Sequence, residues 1–211
     1  MREVDIMLRL DHPGVVSCVP TPPGLDPGTE DLPTLCMEYC EEGDLRKELN
    51  KPESCRGVSE SCVLAILNDI TSALGYLHNR RIIHRDLKPE NVVLKKSETR
   101  TVYKLIDLGY AKELGVSSMA QSFVGTLQYV APELFLGHDY TKSVDYWSLG
   151  LLCHEVVTGT IMAGRITKTG RLFYFQVRGL SCPTCPLGSG LTTWRARSMM
   201  TYLWCRVWTE K

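Results

Sequence analysis

The sequence predicts an α+β domain, and three observations predict it. From Val63 to Leu77 apolar residues recur at helical spacing. Two apolar runs, Ile82 to Leu94 and Val102 to Ile106, surround polar motifs as strands flank a loop. From Asp145 to Val157 the chain is apolar on nearly every side, as a helix central to a core is.

The elements follow in order. Glu3 to Leu10 reads as a helix with Val4, Met7 and Leu8 on one face, ended by the turn residues Asp11-His12-Pro13-Gly14. Val15 to Val19 reads as a short strand, and Thr21 to Pro33, rich in Pro and Gly, as a loop. Thr34 to Tyr39 reads as a buried strand. Asp44 is placed to cap a short helix from Leu45 to Asn50, and Ser59 to cap the long one that ends near His78. After Thr158-Gly159 the periodicity decays, and Ser181 to Gly190 has none.

A hydrophobic share of 44% with 23% charged residues supplies a core and excludes disorder throughout. Zero formal net charge argues against a nucleic-acid or membrane-surface protein. No secretory leader and no membrane-length apolar run is visible. Nine cysteines, an odd number without framework spacing, then read as reduced thiols in a cytoplasmic protein. Charge is unevenly spread. From Ala163 onward eight basic residues face Glu210 alone, a net +7, while the remainder holds 16 basic and 23 acidic residues, a net −7. That shift marks a boundary, with domains expected at 1–160 and a basic, poorly ordered tail at 161–211.

Four motifs stand in a fixed order. They are His84-Arg85-Asp86-Leu87-Lys88-Pro89-Glu90-Asn91, then Asp107-Leu108-Gly109, then Ala131-Pro132-Glu133, then Asp145-Tyr146-Trp147-Ser148-Leu149-Gly150. The first fits H-R-D-L-x-x-x-N over its whole length, and the second follows it behind the apolar pair Leu105-Ile106. Together they resemble the protein kinase family over roughly residues 1 to 160. Met37-Glu38-Tyr39-Cys40, Gly43-Asp44-Leu45-Arg46-Lys47, Asp107 to Lys112 and Ser122 to Tyr129 narrow the resemblance to the alpha and beta catalytic subunits of the IκB kinase complex.

That resemblance implies part of a small lobe from its C helix, a hinge, and the first half of a helical large lobe. It implies an ATP-dependent serine/threonine kinase acting on serines of an IκB-like substrate, with ATP and Mg2+ as cofactors. Asp86 would take the hydroxyl proton, Lys88 would lie near the transferred phosphoryl group, and Thr126 would bond both. Asn91 and Asp107 would hold the metal. Met37 would be the gatekeeper, Glu38 and Cys40 would offer hinge backbone to adenine, Val93 would lie beneath the ring and Asp44 at the rim. Plain core packing would suit Met37 and Val93 equally well. Ser118 and Ser122 match a spaced pair of activation-loop serines, with Ser117 a competing site and Arg85 the natural phosphate partner. Glu3 matches the C-helix Glu that pairs with the ATP-positioning Lys, or is a solvated helix residue. Asp145 either ties down the catalytic-loop backbone, caps its helix, or does both.

The pattern departs at both ends. The Gly-rich loop and the Lys-bearing strand of the family belong before residue 1, and the closing large-lobe helices after residue 160. The chain is therefore expected to be a fragment with impaired activity. The resemblance allows other complex subunits as partners, but the family's scaffold-binding segments do not fall within this sequence, which counts against assembly. The alternative is a pseudokinase-like binding module without catalysis. Cys182-Pro183-Thr184-Cys185 lacks two convincing further ligands for zinc.

Overall fold

The computed structural model describes residues 2–22, 24, 35–113, 128–166 and 172–178, and of residues 2, 3, 112, 113, 135, 163–166 and 172–178 the backbone alone. Helix α1 (Arg2–Met7) leads through a turn into an extended segment. Helix α2 (Leu45–Leu49) and the long α3 (Glu60–Asn79) follow. Strand β1 (Ile82–Ile83) then enters the loop that carries the first motif. Strands β2 (Val92–Lys96) and β3 (Thr101–Leu105) form an antiparallel hairpin, with Val92 opposite Leu105 and Val93 opposite Lys104. Strand β4 (Lys112–Glu113) returns to pair with β1. Helices α4 (Pro132–Phe135) and α5 (Ser143–Thr158) come next, then a hairpin of β5 (Thr160–Ile166) and β6 (Leu172–Arg178). The mixed helix and strand content is as the sequence predicts.

Helix α3 organises the main core. Ser59 caps it by accepting from Cys62 N at 3.4 Å. Its buried face is Val63, Ile66, Ile70, Ala73, Leu74 and Leu77, which share one cluster with Ile6, Met7, Leu45, Leu105, Leu108 and Leu152. Thus α1, α2, the β2–β3 hairpin and α5 all close on α3. Burying a Leu or Ile side chain contributes about 1.5–3 kcal/mol, so this face is the main source of cohesion. A second cluster, with Ile83, Val130, Ala131, Leu134, Tyr140 and Val144, packs the start of α5 against α4 and β1.

One buried carboxylate ties α3 to the hairpin. Asp69 accepts from both terminal nitrogens of Arg100, at 2.6 and 2.7 Å, and from Tyr103 N at 3.1 Å. Burial alone would push its carboxyl up, but these bonds outweigh it and hold it below its ordinary value.

Several expectations need correction. Helix α1 ends at Met7, and Leu8 is 64% exposed while Ile6 takes the buried position. Leu8 N still reaches Val4 O, but Arg9 N and Leu10 N bond Ile6 O and Met7 O, three residues back. This tighter winding turns Leu8 outward and Leu10 inward. The strands expected at 15–19 and 34–39 are single bridges, Val15 to Leu105 and Cys18 to Met37. The first segment changes partner midway, which leaves no room for a continuous ladder. Met37 and Tyr39 are 46% and 81% exposed, so the second is not buried. They share one face by strand alternation, and the described residues give that face no cover. The N-cap of α5 is Lys142, so Asp145 is not the cap. Structure continues past Gly159 as the β5–β6 hairpin, whose second strand reads Leu-Phe-Tyr-Phe-Gln-Val-Arg, rich in aromatic residues suited to a pleated surface. Most of the expected loop at 21–33, the segment 181–190 and Cys182 to Cys185 lie outside the described residues.

The end of α5 meets the loop after α2 backbone to backbone. Gly57 and Gly159 both have positive φ, +90° and +66°, and a Cβ on Gly57 would lie 2.2 Å from Val157 O. Gly57→Ala is therefore expected to destabilise by about 3 kcal/mol, read as a lower urea midpoint. Gly75→Ala on α3, where a Cβ meets nothing within 4 Å, should be neutral or stabilising by about 0.5–1 kcal/mol. Equal midpoints for the two variants would refute the close approach.

Candidate active site

The loop after β1 has an unfavourable backbone that is held from outside. Arg85 is in the left-handed region, φ 70°, which a side chain with a Cβ rarely adopts. The fully buried Asp145 carboxylate accepts from His84 N at 3.0 Å and Arg85 N at 2.8 Å, and from His78 Nε2 at 2.7 Å. Asp145 is the third residue of α5, so a core helix fixes the loop. The Arg85 side chain donates to Tyr110 O at 2.5 Å and to Tyr140 Oη at 2.7 Å. Of the two roles open for Asp145, the geometry supports the tie to the loop.

The loop so held gathers three polar side chains. Asp86 is buried, and its Oδ2 accepts from Lys88 Nζ at 2.6 Å and Asn91 Nδ2 at 3.0 Å. Asn91 Nδ2 also donates to Asp86 O at 2.8 Å. Pro89 opens the short 3-10 turn Pro89–Asn91 that brings Asn91 back over Asp86. With its amide nitrogen committed inward, Asn91 has its Oδ1 to offer a ligand.

His84 couples this loop to the segment after β3. Its Nδ1 accepts from Asp86 N at 3.3 Å, which leaves Nε2 to donate to Ile106 O at 3.2 Å. Ile106 N donates to Asn91 O at 3.0 Å. Asp107 follows at once, half-buried with φ 61°, its Oδ1 accepting from Gly109 N at 3.1 Å. Leu108 beside it is buried in the main cluster with Ile6 and Met7. Asn91 and Asp107 thus lie on either side of one backbone hydrogen bond. An amide oxygen and a carboxylate are hard donors and few in number. They fit Mg2+, which keeps waters and phosphate oxygens for its remaining positions.

The segment 37–40 lies across the hairpin. Glu38 N is committed to Ser17 O at 2.9 Å, so toward a base Glu38 can offer its carbonyl and Cys40 its N–H. Burial, then Glu38, pushes the Cys40 thiol up, so it is protonated at neutral pH. Val93 is half-buried and bridges to Asp44. The Asp44 carboxylate caps α2 by accepting from Lys47 N at 2.9 Å. Thr126, Ser117, Ser118 and Ser122 lie outside the described residues, and Glu3 is described only as backbone of α1.

Two charge clusters escape a sequence reading. Arg46 on α2 donates to Glu90 Oε1 and Tyr129 Oη, both at 2.7 Å, and to the buried Glu155 of α5, while Tyr129 Oη also donates to Glu155. The cluster joins α2, the Pro89–Asn91 turn, the start of the 128–131 segment and α5. The Glu38 carboxylate accepts from Lys95 and Lys104, both at 2.5 Å, and from Ser17 N at 2.9 Å. A Lys at position 104, inside the apolar run Val102 to Ile106, is the one sequence signal for it.

A carboxylate, lysine and amide on a loop fixed by a core helix, with a second carboxylate at its edge, define a class. The family model described as "Protein kinase domain" matches residues 1–178, and the chain belongs to that family. It is 56% identical over 158 residues to inhibitor of nuclear factor kappa-B kinase subunit alpha of Xenopus tropicalis, covering 75% of this chain and 21% of that protein. Against subunit beta of Mus musculus it is 57% identical over 158 residues, covering 74% and 21%. The cGMP-dependent protein kinase isozyme 1 of Drosophila melanogaster is 40% identical over 126 residues, covering 60% and 16%. The chain spans about a fifth of the length of the IκB kinase subunits it matches.

Glu38 gives a pH test. Burial would raise its carboxyl, but Lys104, Lys95 and Ser17 N together bring it from 4.5 down to about 2. A folded-state value below the unfolded one means stability that is present above pH 4.5 and lost as pH falls toward 2. In thermal melts the gap between the wild-type chain and Glu38→Gln should therefore narrow from pH 5 to pH 3. A gap that stays constant would show the carboxylate to be unpaired in solution.

Proposed function

We propose that this chain carries the phosphoacceptor and metal half of an ATP-dependent serine/threonine kinase site of the IκB kinase type, acting on serines of an IκB-like inhibitor protein. The observation that supports it most is the buried Asp86 bonded to Lys88 and Asn91, set one backbone bond from Asp107.

Phosphoryl transfer asks little covalent work of a protein, so positioning and charge do most of it. Asp86 orients the acceptor hydroxyl and takes its proton. Lys88, already at that carboxylate, balances charge on the transferred group, and Thr126 bonds both. Asn91 and Asp107 would hold Mg2+, which would supply charge neutralisation at the phosphate oxygens. The Glu38 carbonyl and Cys40 N–H receive adenine beside Met37 and above Val93, with Asp44 at the rim. Glu3 serves the small-lobe side. Ser118 and Ser122 are the regulatory phosphosites, and a phosphate there would draw on Arg85 in exchange for its bonds to Tyr110 and Tyr140. We assign this role to residues 1–160, give none to 161–211, and place the protein in the cytoplasm with an IκB-like substrate and other IκB kinase subunits as partners.

The test is Mg-ATP binding to the 211-residue chain by calorimetry, with Asp107→Asn beside it. Saturable binding weakened about tenfold in the variant, or ~1.4 kcal/mol, is expected, with impaired phosphate transfer to a serine peptide. Binding without transfer would favour a non-catalytic binding module. Identical titrations for the two proteins would overturn the proposal.

A further inference from the structure

We propose that the Glu38 carboxylate is a positioning residue, fixing the distance between the base-binding backbone at 38–40 and the metal-holding oxygens of Asn91 and Asp107. The inference rests on the nucleotide-site reading above.

Four observations carry it. First, Glu38 bonds both strands of the hairpin at once, through Lys95 of β2 and Lys104 of β3. Lys95 comes four residues after Asn91, and Lys104 three before Asp107. Second, these groups share a face. Val93 is paired with Lys104 across the ladder, and Lys95 lies two residues beyond Val93 on the same strand. The face that would lie under the adenine is therefore the face that grips Glu38.

Third, the same carboxylate also accepts from Ser17 N, while Glu38 N donates to Ser17 O. Glu38 thus fixes its own backbone against the 17–19 segment and its side chain against the hairpin. Fourth, among the described hydrogen bonds no other group of residues 37–40 reaches β2 or β3. The neighbouring ties, Leu94 N to Gly43 O at 2.8 Å and Glu42 N to Leu94 O at 3.3 Å, begin beyond that segment. The environment is dry enough to matter: Lys104 is buried and the Glu38 side chain is 11% exposed. Its acidity, held far below the ordinary range, agrees with a carboxylate in constant use.

The consequence concerns ligands that span both ends. A nucleotide held at base and phosphate together gains from a fixed spacing, because binding one end presents the other at high effective concentration. A ligand that touches one end has nothing to gain. Three probes separate these cases: adenosine for the base end, Mg-tripolyphosphate for the metal end and Mg-ATP for both.

In Glu38→Gln the affinity for Mg-ATP should fall about tenfold, while the two half-ligands change less than about twofold, measured by ligand-observed NMR on chains that melt cooperatively. Lys95→Gln, whose side chain is 38% exposed and which leaves Lys104 in place, should show the same pattern at about threefold and serves if Glu38→Gln does not fold. Parallel loss of all three affinities would reduce Glu38 to a structural residue and overturn the proposal. So would unchanged Mg-ATP binding in both variants, with the nucleotide site itself left standing. A wild-type chain that binds neither Mg-ATP nor either half-ligand would remove the nucleotide reading and this inference with it.

Discussion

The site depends on one buried carboxylate. Asp145 accepts two consecutive backbone N–H groups and a histidine at the point where the chain turns out of β1. A left-handed Arg85 costs about 1–2 kcal/mol, and each hydrogen bond to a charged acceptor returns about 1.5–3 kcal/mol. Two such bonds exceed the strain, so the loop is stable in a shape its own sequence would not choose. Without that acceptor both amides would be buried and unsatisfied, and the loop would relax away from Asp86. The helix that supplies Asp145 is buried along much of its length and contributes to both clusters, which makes its position rigid.

From that anchor the geometry passes outward through backbone groups. His84 reads Asp86 with one ring nitrogen and Ile106 with the other, so the two strand ends cannot move apart independently. The charge clusters extend the same logic to more distant elements. Arg46 gathers Glu90, Tyr129 and Glu155 from three parts of the chain, and Glu38 gathers Ser17, Lys95 and Lys104 from three others. Helix α2, with five residues, is too short to persist on its own helical bonds, and its Asp44 cap and the Arg46 cluster supply what its length does not.

Legibility in the sequence followed the range of the interaction. Helix α3 was readable because Val63, Ile66, Ile70, Leu74 and Leu77 repeat at a local period, and the Ser59 and Asp44 caps because capping acts over three residues. Asp86, Lys88, Asn91 and Asp107 drew notice because their types and spacing match a family motif, and the structure brings the first three together with Asp107 just beyond. Leu8 was misread because the change from four-residue to three-residue winding is invisible to a periodicity count. The 15–19 and 34–39 segments were misread because strand propensity says nothing about whether a partner continues alongside. The Arg46 and Glu38 clusters join residues up to 109 apart, and nothing local distinguishes those charges from solvated ones.

Those long-range clusters also decide how the site should respond to change. Each is a carboxylate taken largely out of water and kept there by several donors, so its worth lies in completeness. Losing one donor leaves a buried charge short of partners, and the deficit is larger than the share that donor contributed. Substitutions within one cluster will therefore not add, whereas a change at Asp69 and a change at Glu38, which share no hydrogen-bond partner, should come closer to adding. The hairpin β2–β3 is the exception that links them. Asp69 holds it from the α3 side through Arg100 and Tyr103, and Glu38 holds it from the other through Lys95 and Lys104. A strand pair clamped on two sides by opposite charges is a stiff platform, and Asn91 and Asp107 both stand at its open end, beyond the Val92–Leu105 pair.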